Sequence, residues 1–223
     1  MSFLTRATAA GFLMLALLTL ALAQTPIQKS SLATALPADD DVHALGMSAA
    51  AGDDRSQFEV ADRYYRGAGV PQDYRQALLW YSKSANQGFA PAQTQLGSMY
   101  QHKWGAPRDY KRALAYYRSA AKQGDTLAEH NLGAMYEDGV GVKRDYKQVL
   151  EWYRKAAEQN LAQAEKQVGY FYQCGYGVKR DFGQAHSWYL RAAGHGNSDA
   201  ENQLGFFAEE GWGQQKNYVE ALA

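Results

Sequence analysis

Leu132-Gly-Ala-Met-Tyr-Glu-Asp-Gly-Val-Gly-Val-Lys-Arg-Asp-Tyr-Lys-Gln-Val-Leu-Glu-Trp-Tyr153 contains the parts of two short helices and the turn between them. Leu132 and Tyr136 lie four residues apart, on one face of a helix, until Gly139 and Gly141 interrupt the pattern. Asp145 then opens a second helical stretch that carries Trp152-Tyr153. Moving outward in both directions, Asp73-Tyr74, Asp109-Tyr110, Asp145-Tyr146, Asp181-Phe182 and Asn217-Tyr218 follow one another at a constant 36 residues. A period without drift means stacked copies of one supersecondary unit. The expected fold is therefore all-α, an α-solenoid of antiparallel helix-turn-helix repeats of 36 residues.

Each recurring residue has a local physical role. Asp73, Asp109, Asp145 and Asp181 stand where the second helix of a hairpin begins, so a carboxylate can accept an orphan backbone N–H and oppose the positive end of the helix dipole. Gln76, Gln148, Gln184 and Glu220 follow three residues later and complete a capping-box pattern, with Arg112 as the exception. The second helix ends at Gly88, Gly124, Asn160 and Gly196, residue types that tolerate a left-handed cap. Ala92, Leu96 and Tyr100, with their equivalents, form a core stripe, and Gly97, Gly133, Gly169 and Gly205 let the facing helix approach. Trp80, Tyr116, Trp152 and Trp188 repeat with the hairpin itself and are expected in the core rather than stacked on a ligand. Two departures stand out. Lys103 replaces the first turn glycine of the second unit and is followed by Trp104, which predicts a loop of different shape. The fifth second helix stops at Ala223 without its aromatic pair, as in a truncated fragment or an incomplete cap.

Leu-Gly-x-Met-Tyr, Gly-x-Gly-Val, Asp-Tyr-x-x-Ala and Trp-Tyr-x-x-Ala-Ala at this period resemble the Sel-one-like repeat (SLR) family, relatives of the tetratricopeptide repeats. The resemblance covers 41–223. It places repeat starts near Asp53, Ala90, Thr126, Ala162 and Ser198, giving four full repeats and a partial fifth, with Val42 to Gly52 as an N-terminal capping helix. Residues 24–40, with Ser30-Ser31 and Pro37, read as a flexible linker. In front of them lies a signal-peptide pattern, 1–23: Arg6, an apolar run, and Ala21-Leu22-Ala23 before Gln24. The expectation is an exported protein, periplasmic or secreted from a bacterium, with no stable membrane insertion once the leader is cleaved.

Lys+Arg and Asp+Glu both number 23, so no whole-chain field gathers phosphates, and nucleic acid is not an expected partner. The lone cysteine, Cys174, cannot form an internal disulfide, and without a His or carboxylate motif beside it reads as a small semi-buried residue. His43, His102, His130, His186 and His195 form no recognised metal spacing, and the glycine turns are not followed by the Gly-Lys-Ser/Thr of a phosphate loop. Neither a cofactor nor a metal is expected. Ser119-Ala-Ala-Lys122 matches Ser-x-x-Lys, but it lies in a repeat helix without Ser-Asp-Asn or Lys-Thr-Gly. By resemblance, some relatives have been credited with penicillin binding or β-lactam hydrolysis; those are cysteine-rich, unlike this chain. A binder or hydrolase of β-lactams or cell-wall amides is thus the alternative to a non-enzymatic scaffold.

A scaffold of this kind would use the concave wall made by the first helices. Positions two before, two after and five after the Leu of Leu-Gly lie opposite the core stripe. Across the repeats they supply Phe58, Tyr65, His130, Glu137, Lys166, Tyr170 and Phe206, among polar neighbours such as Asp62, Gln173 and Asn202. Aromatic anchors among mixed charges suit a protein or extended peptide partner. The expected centre is His130, Glu137, Lys166 and Tyr170. The resemblance suggests roles in envelope signalling, polysaccharide export or host interaction.

Overall fold

A computed structural model describes residues 40–212. The expected signal peptide, almost all of the expected linker and the chain beyond Trp212 lie outside the described residues. Within them, ten helices follow one another and no strand occurs: α1 (Asp40–Ala51), α2 (Asp54–Arg66), α3 (Tyr74–Asn86), α4 (Ala90–His102), α5 (Tyr110–Ala121), α6 (Thr126–Asp138), α7 (Tyr146–Glu158), α8 (Ala162–Cys174), α9 (Phe182–Gly194) and α10 (Ser198–Glu210). α2 and α3, α4 and α5, α6 and α7, and α8 and α9 are hairpins; each second helix also packs on the first helix of the next hairpin, so the helices form one continuous stack. α1 covers the leading hairpin, burying Ala49, whose carbonyl accepts from Gln57 Nε2 at 3.1 Å.

The aspartate caps form as their position dictates. Asp145 Oδ1 accepts from the Lys147 and Gln148 amides at 3.0 and 3.3 Å, Asp73 does the same at α3, and Asp109 and Asp181 accept from the single amides of Arg112 and Gln184 at α5 and α9. The reciprocal half of the capping box does not. The amide of each capping Asp instead donates to a first-helix carbonyl, Asp73 to Tyr64 and Asp181 to Tyr172 both at 2.9 Å. Those carbonyls belong to the last turn of a helix, where they lack an intrahelical donor, so this bond satisfies both ends of the hairpin turn at once. Gln148, released from the box, donates to Glu151 at 3.2 Å.

The second residue of each aromatic pair is a core element, and Trp80 is the one first residue buried with it, as expected. Tyr81, Tyr117, Tyr153 and Tyr189 are almost completely buried, whereas Tyr116, Trp152 and Trp188 are half-buried, and cations lie over Trp80, Trp152 and Trp188. In three of the four hairpins a glycine faces the buried ring and explains the closeness of the helices, the first repeat having Ala61 in that register. A Cβ on Gly133 would sit 2.5 Å from Tyr153 Cε1, so no larger residue fits there without displacing the ring. Gly97 and Gly169 face Tyr117 and Tyr189 in the same way. The helix expected to face Gly205 lies outside the described residues.

The second-repeat turn keeps its siblings' shape, contrary to the sequence expectation. Lys103 adopts φ 66°, beside 70° for Gly139 in the same register. Trp104 is not an intruder but the counterpart of Val140, Tyr176 and Trp212. Its ring stacks on Tyr74 of the preceding repeat at 6.0 Å, as Tyr176 stacks on Tyr146 at 5.0 Å and Trp212 on Phe182 at 4.5 Å. Ring stacking from turn to preceding helix holds successive hairpins in register.

A second ladder does the same at the other end of the hairpins. Gln87 donates to Gln57 at 2.9 Å, Gln123 to Gln93 at 3.0 Å and Gln159 to Glu129 at 2.8 Å. In the fourth repeat the pair becomes His195 and fully buried Glu165, 2.7 Å apart, with Arg191 Nη2 3.1 Å from the other carboxylate oxygen.

Candidate partner-binding surface

The first helices α4, α6, α8 and α10 present one face away from the second helices with which they pair. The described residues form a cavity of about 370 Å³ on this face, lined by Glu137 of α6, Lys166, Gln167 and Tyr170 of α8, and Asp199, Asn202 and Gln203 of α10, with Tyr189 at its base. Three of the four residues expected at the centre thus converge: Glu137, Lys166 and Tyr170. They come from two helices whose approach is fixed by the buried Tyr153 and the close glycines described above.

The charged and phenolic side chains of the lining are each held by a definite partner. Lys166 Nζ lies 3.0 Å from Asp199 Oδ2, a bridge between consecutive first helices in which the ammonium is the more buried member. Glu137 Oε2 accepts the Tyr153 hydroxyl at 2.7 Å. Tyr170 is 40% exposed, and pairing with the Cys174 side chain is the main influence that pushes its phenol pKa up to about 12. The half-buried, free thiol of Cys174, at the last position of α8, is the semi-buried cysteine the sequence suggested.

His130 takes another place. Its ring lies 5.3 Å from the Tyr153 ring, with Nε2 buried, and burial lowers its pKa, which favours the neutral imidazole. Phe58 packs between Tyr81 and Phe89, both at 5.4 Å, and Tyr65 sits among Tyr74, Tyr81 and Trp104. These two residues, near the N-terminal end of the stack, are half-buried in packing between repeats. Phe206, 43% exposed, lies on α10 against Trp212 at 5.3 Å, outside the cavity lining.

Sequence reasoning missed Gln167, Gln203 and Asp199. A signal was present, since the residue before the Leu of Leu-Gly, or its equivalent, is Gln95, Asn131, Gln167 and Gln203 in the second to fifth repeats, an amide in place of the Glu59 of the first. An amide offers a donor and an acceptor together and can match the main chain of an extended segment whatever its sequence.

The Sel1 repeat family model matches residues 54–89, 90–125, 126–161, 162–197 and 198–223, boundaries that coincide with the first residues of α2, α4, α6, α8 and α10. Among solved structures, the chain is similar to a protective antigen present in uropathogenic Escherichia coli strains that displays an SLR fold, with 38% identity and a TM-score of 0.75. That similarity covers 78% of this chain but 37% of the antigen. A Sel1 repeat protein from Oxalobacter formigenes is 34% identical with a TM-score of 0.70, covering 78% of this chain and 69% of that one. An immunity protein from Pseudomonas aeruginosa, 22% identical with a TM-score of 0.51, covers 78% of this chain and 65% of its own, and shares the fold. No curated protein matches the sequence.

Proposed function

Since the chain belongs to the Sel1 repeat family, whose members are protein-interaction scaffolds, we propose that it is an exported, non-enzymatic adaptor that holds a protein or peptide partner against its first helices. The observation that carries this reading is the convergence of Glu137, Lys166 and Tyr170 with three amide side chains, Gln167, Asn202 and Gln203, in one cavity. An aromatic anchor beside fixed charges and hydrogen-bonding amides suits an extended segment better than a reaction centre, which needs a nucleophile and a base within reach of one another. The partner's main chain would run across α6, α8 and α10, with an apolar side chain against Tyr170.

Export is supported by the leader pattern in residues 1–23 and is in keeping with the description of the E. coli relative as a protective antigen. No helix among the described residues is long and apolar enough to cross a membrane.

The test is crosslinking of the mature protein in its native envelope, with mass spectrometry of what is captured, repeated with Tyr170→Ala. The variant weakens capture by about 1–3 kcal/mol and leaves the melting temperature nearly unchanged. Undiminished capture would move the binding surface away from this cavity, and unfolding would assign Tyr170 to the core. A mature N-terminus at Gln24 supports export, while Met1 on protein from the exported fraction contradicts leader cleavage.

A further inference from the structure

The formal charge of the chain is zero, but its charges are not evenly placed. The turns between first and second helices, residues 63–76, 99–112, 135–148 and 171–184, contain twelve Lys and Arg against six Asp and Glu. Eleven of the twelve cations are exposed. Arg66 pairs with Asp62 and Arg112 with Asp109; the other ten have no ion pair among the described residues. The acids on this edge are mostly committed. Asp73, Asp109, Asp145 and Asp181 cap helices through their oxygens, and Glu137 holds the Tyr153 hydroxyl. One edge of the stack is therefore a row of available cations, in which Lys143-Arg144 and Lys179-Arg180 recur at the repeat period.

That edge adjoins a groove of about 460 Å³ between α7 and the following turn. Its apolar part is Leu150, Gly177 and Val178, and Lys147 and Arg154 stand beside them. Glu151, also in the groove, is occupied by Lys155 at 3.4 Å and by Gln148, which leaves Glu158 as its one uncommitted carboxylate. A uniform polyanion has no use for an apolar floor, whereas a peptide can place one apolar side chain there and carboxylates on either side.

We propose that the turn edge of the third and fourth repeats, with this groove, is a second docking surface that takes an acidic peptide segment carrying an apolar residue among its carboxylates. It is separate from the first-helix cavity and does not depend on that assignment. A second copy of the chain is a poor occupant. On the opposite edge Asp53 and Asp125 cap helices, Glu129 and Glu165 are buried in the amide ladder, and Asp199 holds Lys166; Asp54, Glu158 and Glu201 have no ion pair among the described residues but lie in three different repeats, so a copy offers no cluster of free carboxylates there.

The experiment is fluorescence polarisation with the purified mature chain and a short labelled Glu/Asp peptide that has a central leucine. Expected are saturable binding that weakens as salt rises, a loss of about tenfold or more in the variant Lys143→Glu/Arg144→Glu/Lys179→Glu/Arg180→Glu, and a several-fold loss when the central leucine of the peptide is serine. Melting followed by circular dichroism shows that the variant is folded; if it is not, Lys179→Glu/Arg180→Glu alone supplies the comparison. Tyr170→Ala leaves the peptide affinity unchanged. The proposal is overturned by an absence of saturable binding, by full affinity in the charge-reversed chain, by loss of affinity in Tyr170→Ala, or by leucine-independent binding matched by heparin or a single-stranded oligonucleotide, which would mark a general polyanion surface.

Discussion

The Tyr153 hydroxyl donates to Glu137 Oε2 at 2.7 Å, joining a fully buried ring of the third hairpin to a side chain that lines the first-helix cavity. Tyr117 reaches Gln101 at 2.9 Å and Tyr189 reaches Gln173 at 2.5 Å in the same way. The residue five after the Leu of Leu-Gly is thus both a wall position and the acceptor that satisfies a core phenol. Wall and core are chemically one unit, and substitutions on either side of the bond are felt on the other.

Tyr153→Phe removes the donor and leaves the ring, so packing is kept while Glu137, half-buried, turns to water. The expected cost is about 1 kcal/mol in urea unfolding, together with altered partner capture because Glu137 is no longer held. Gly133→Ala in the same hairpin costs more, roughly 1–3 kcal/mol, since its new methyl meets the ring instead of a bond. Equal stability of Tyr153→Phe and the parent chain would show that the phenol is not needed to close the hairpin.

The core phenols also set the alkaline limit of the fold. Burial raises the pKa of Tyr81, Tyr117, Tyr153 and Tyr189 well above the ordinary value near 10, and the carboxylates of Asp62 and Glu137 add to the rise at Tyr81 and Tyr153. In the unfolded chain these groups ionise near pH 10; in the fold they stay protonated to higher pH. The stability they contribute is therefore complete below about pH 10 and is lost as pH climbs toward the raised values. Absorbance of phenolate and circular dichroism at 222 nm, followed together, should show the last tyrosines ionising in the same steep step in which helix is lost. Ionisation of all tyrosines with the helical signal intact would contradict the assignment.

Much of this architecture was legible because one physical rule repeats at every 36th residue. The Asp caps, the left-handed Gly and Asn caps and the close glycines facing Tyr117, Tyr153 and Tyr189 follow from local backbone chemistry, which a sequence carries directly. What was not legible depends on which of two partners a group selects in space. The amide of Asp145 could have met Gln148 or a first-helix carbonyl, and the carbonyl won because it had no other donor. Trp152 and Tyr153 are both aromatic and adjacent, and only the packing of the facing helix, where Gly133 makes room for the ring, distinguishes Tyr153 as the buried one. His130, placed on the wall by its spacing, is drawn against Tyr153. The basic turn edge was hidden by the balanced charge of the whole chain, which averages over opposite edges.

Lys103 is a non-glycine residue held at φ 66°, where its siblings in the same register have glycine. Left-handed backbone costs an L side chain about 1–2 kcal/mol, while glycine gives back roughly 0.4–1 kcal/mol through a freer unfolded chain. Lys103→Gly should then raise stability by about 0.5–1 kcal/mol in chemical denaturation without moving Trp104 from Tyr74. Asn160→Gly, at φ 65°, should change little, because asparagine tolerates this region. A destabilised Lys103→Gly would mean that the lysine side chain makes a contact worth more than the strain.

The Glu165 and His195 pair tests whether the charge or the geometry of the inter-repeat ladder matters. Glu165 is fully buried, with His195 Nδ1 at 2.7 Å and Arg191 Nη2 at 3.1 Å, and both cationic-type partners keep about two-fifths of their side chains in solvent. Glu165→Ala therefore strands neither partner, since both can turn to water; its cost is the cavity and the lost hydrogen bonds, about 2–3 kcal/mol. The first repeats make the equivalent contact with neutral amides, Gln87 Nε2 to Gln57 Oε1 at 2.9 Å. The double substitution Glu165→Gln/His195→Gln copies that pair and should remain within about 1 kcal/mol of the parent, far less than the sum of its two single substitutions if each leaves its neighbour mismatched. Urea denaturation of the two singles and the double closes the cycle. If the double variant falls as far as Glu165→Ala, then the ion pair with Arg191 contributes beyond the hydrogen-bond geometry, and the fourth repeat is held by charge where the first two are held by amides alone.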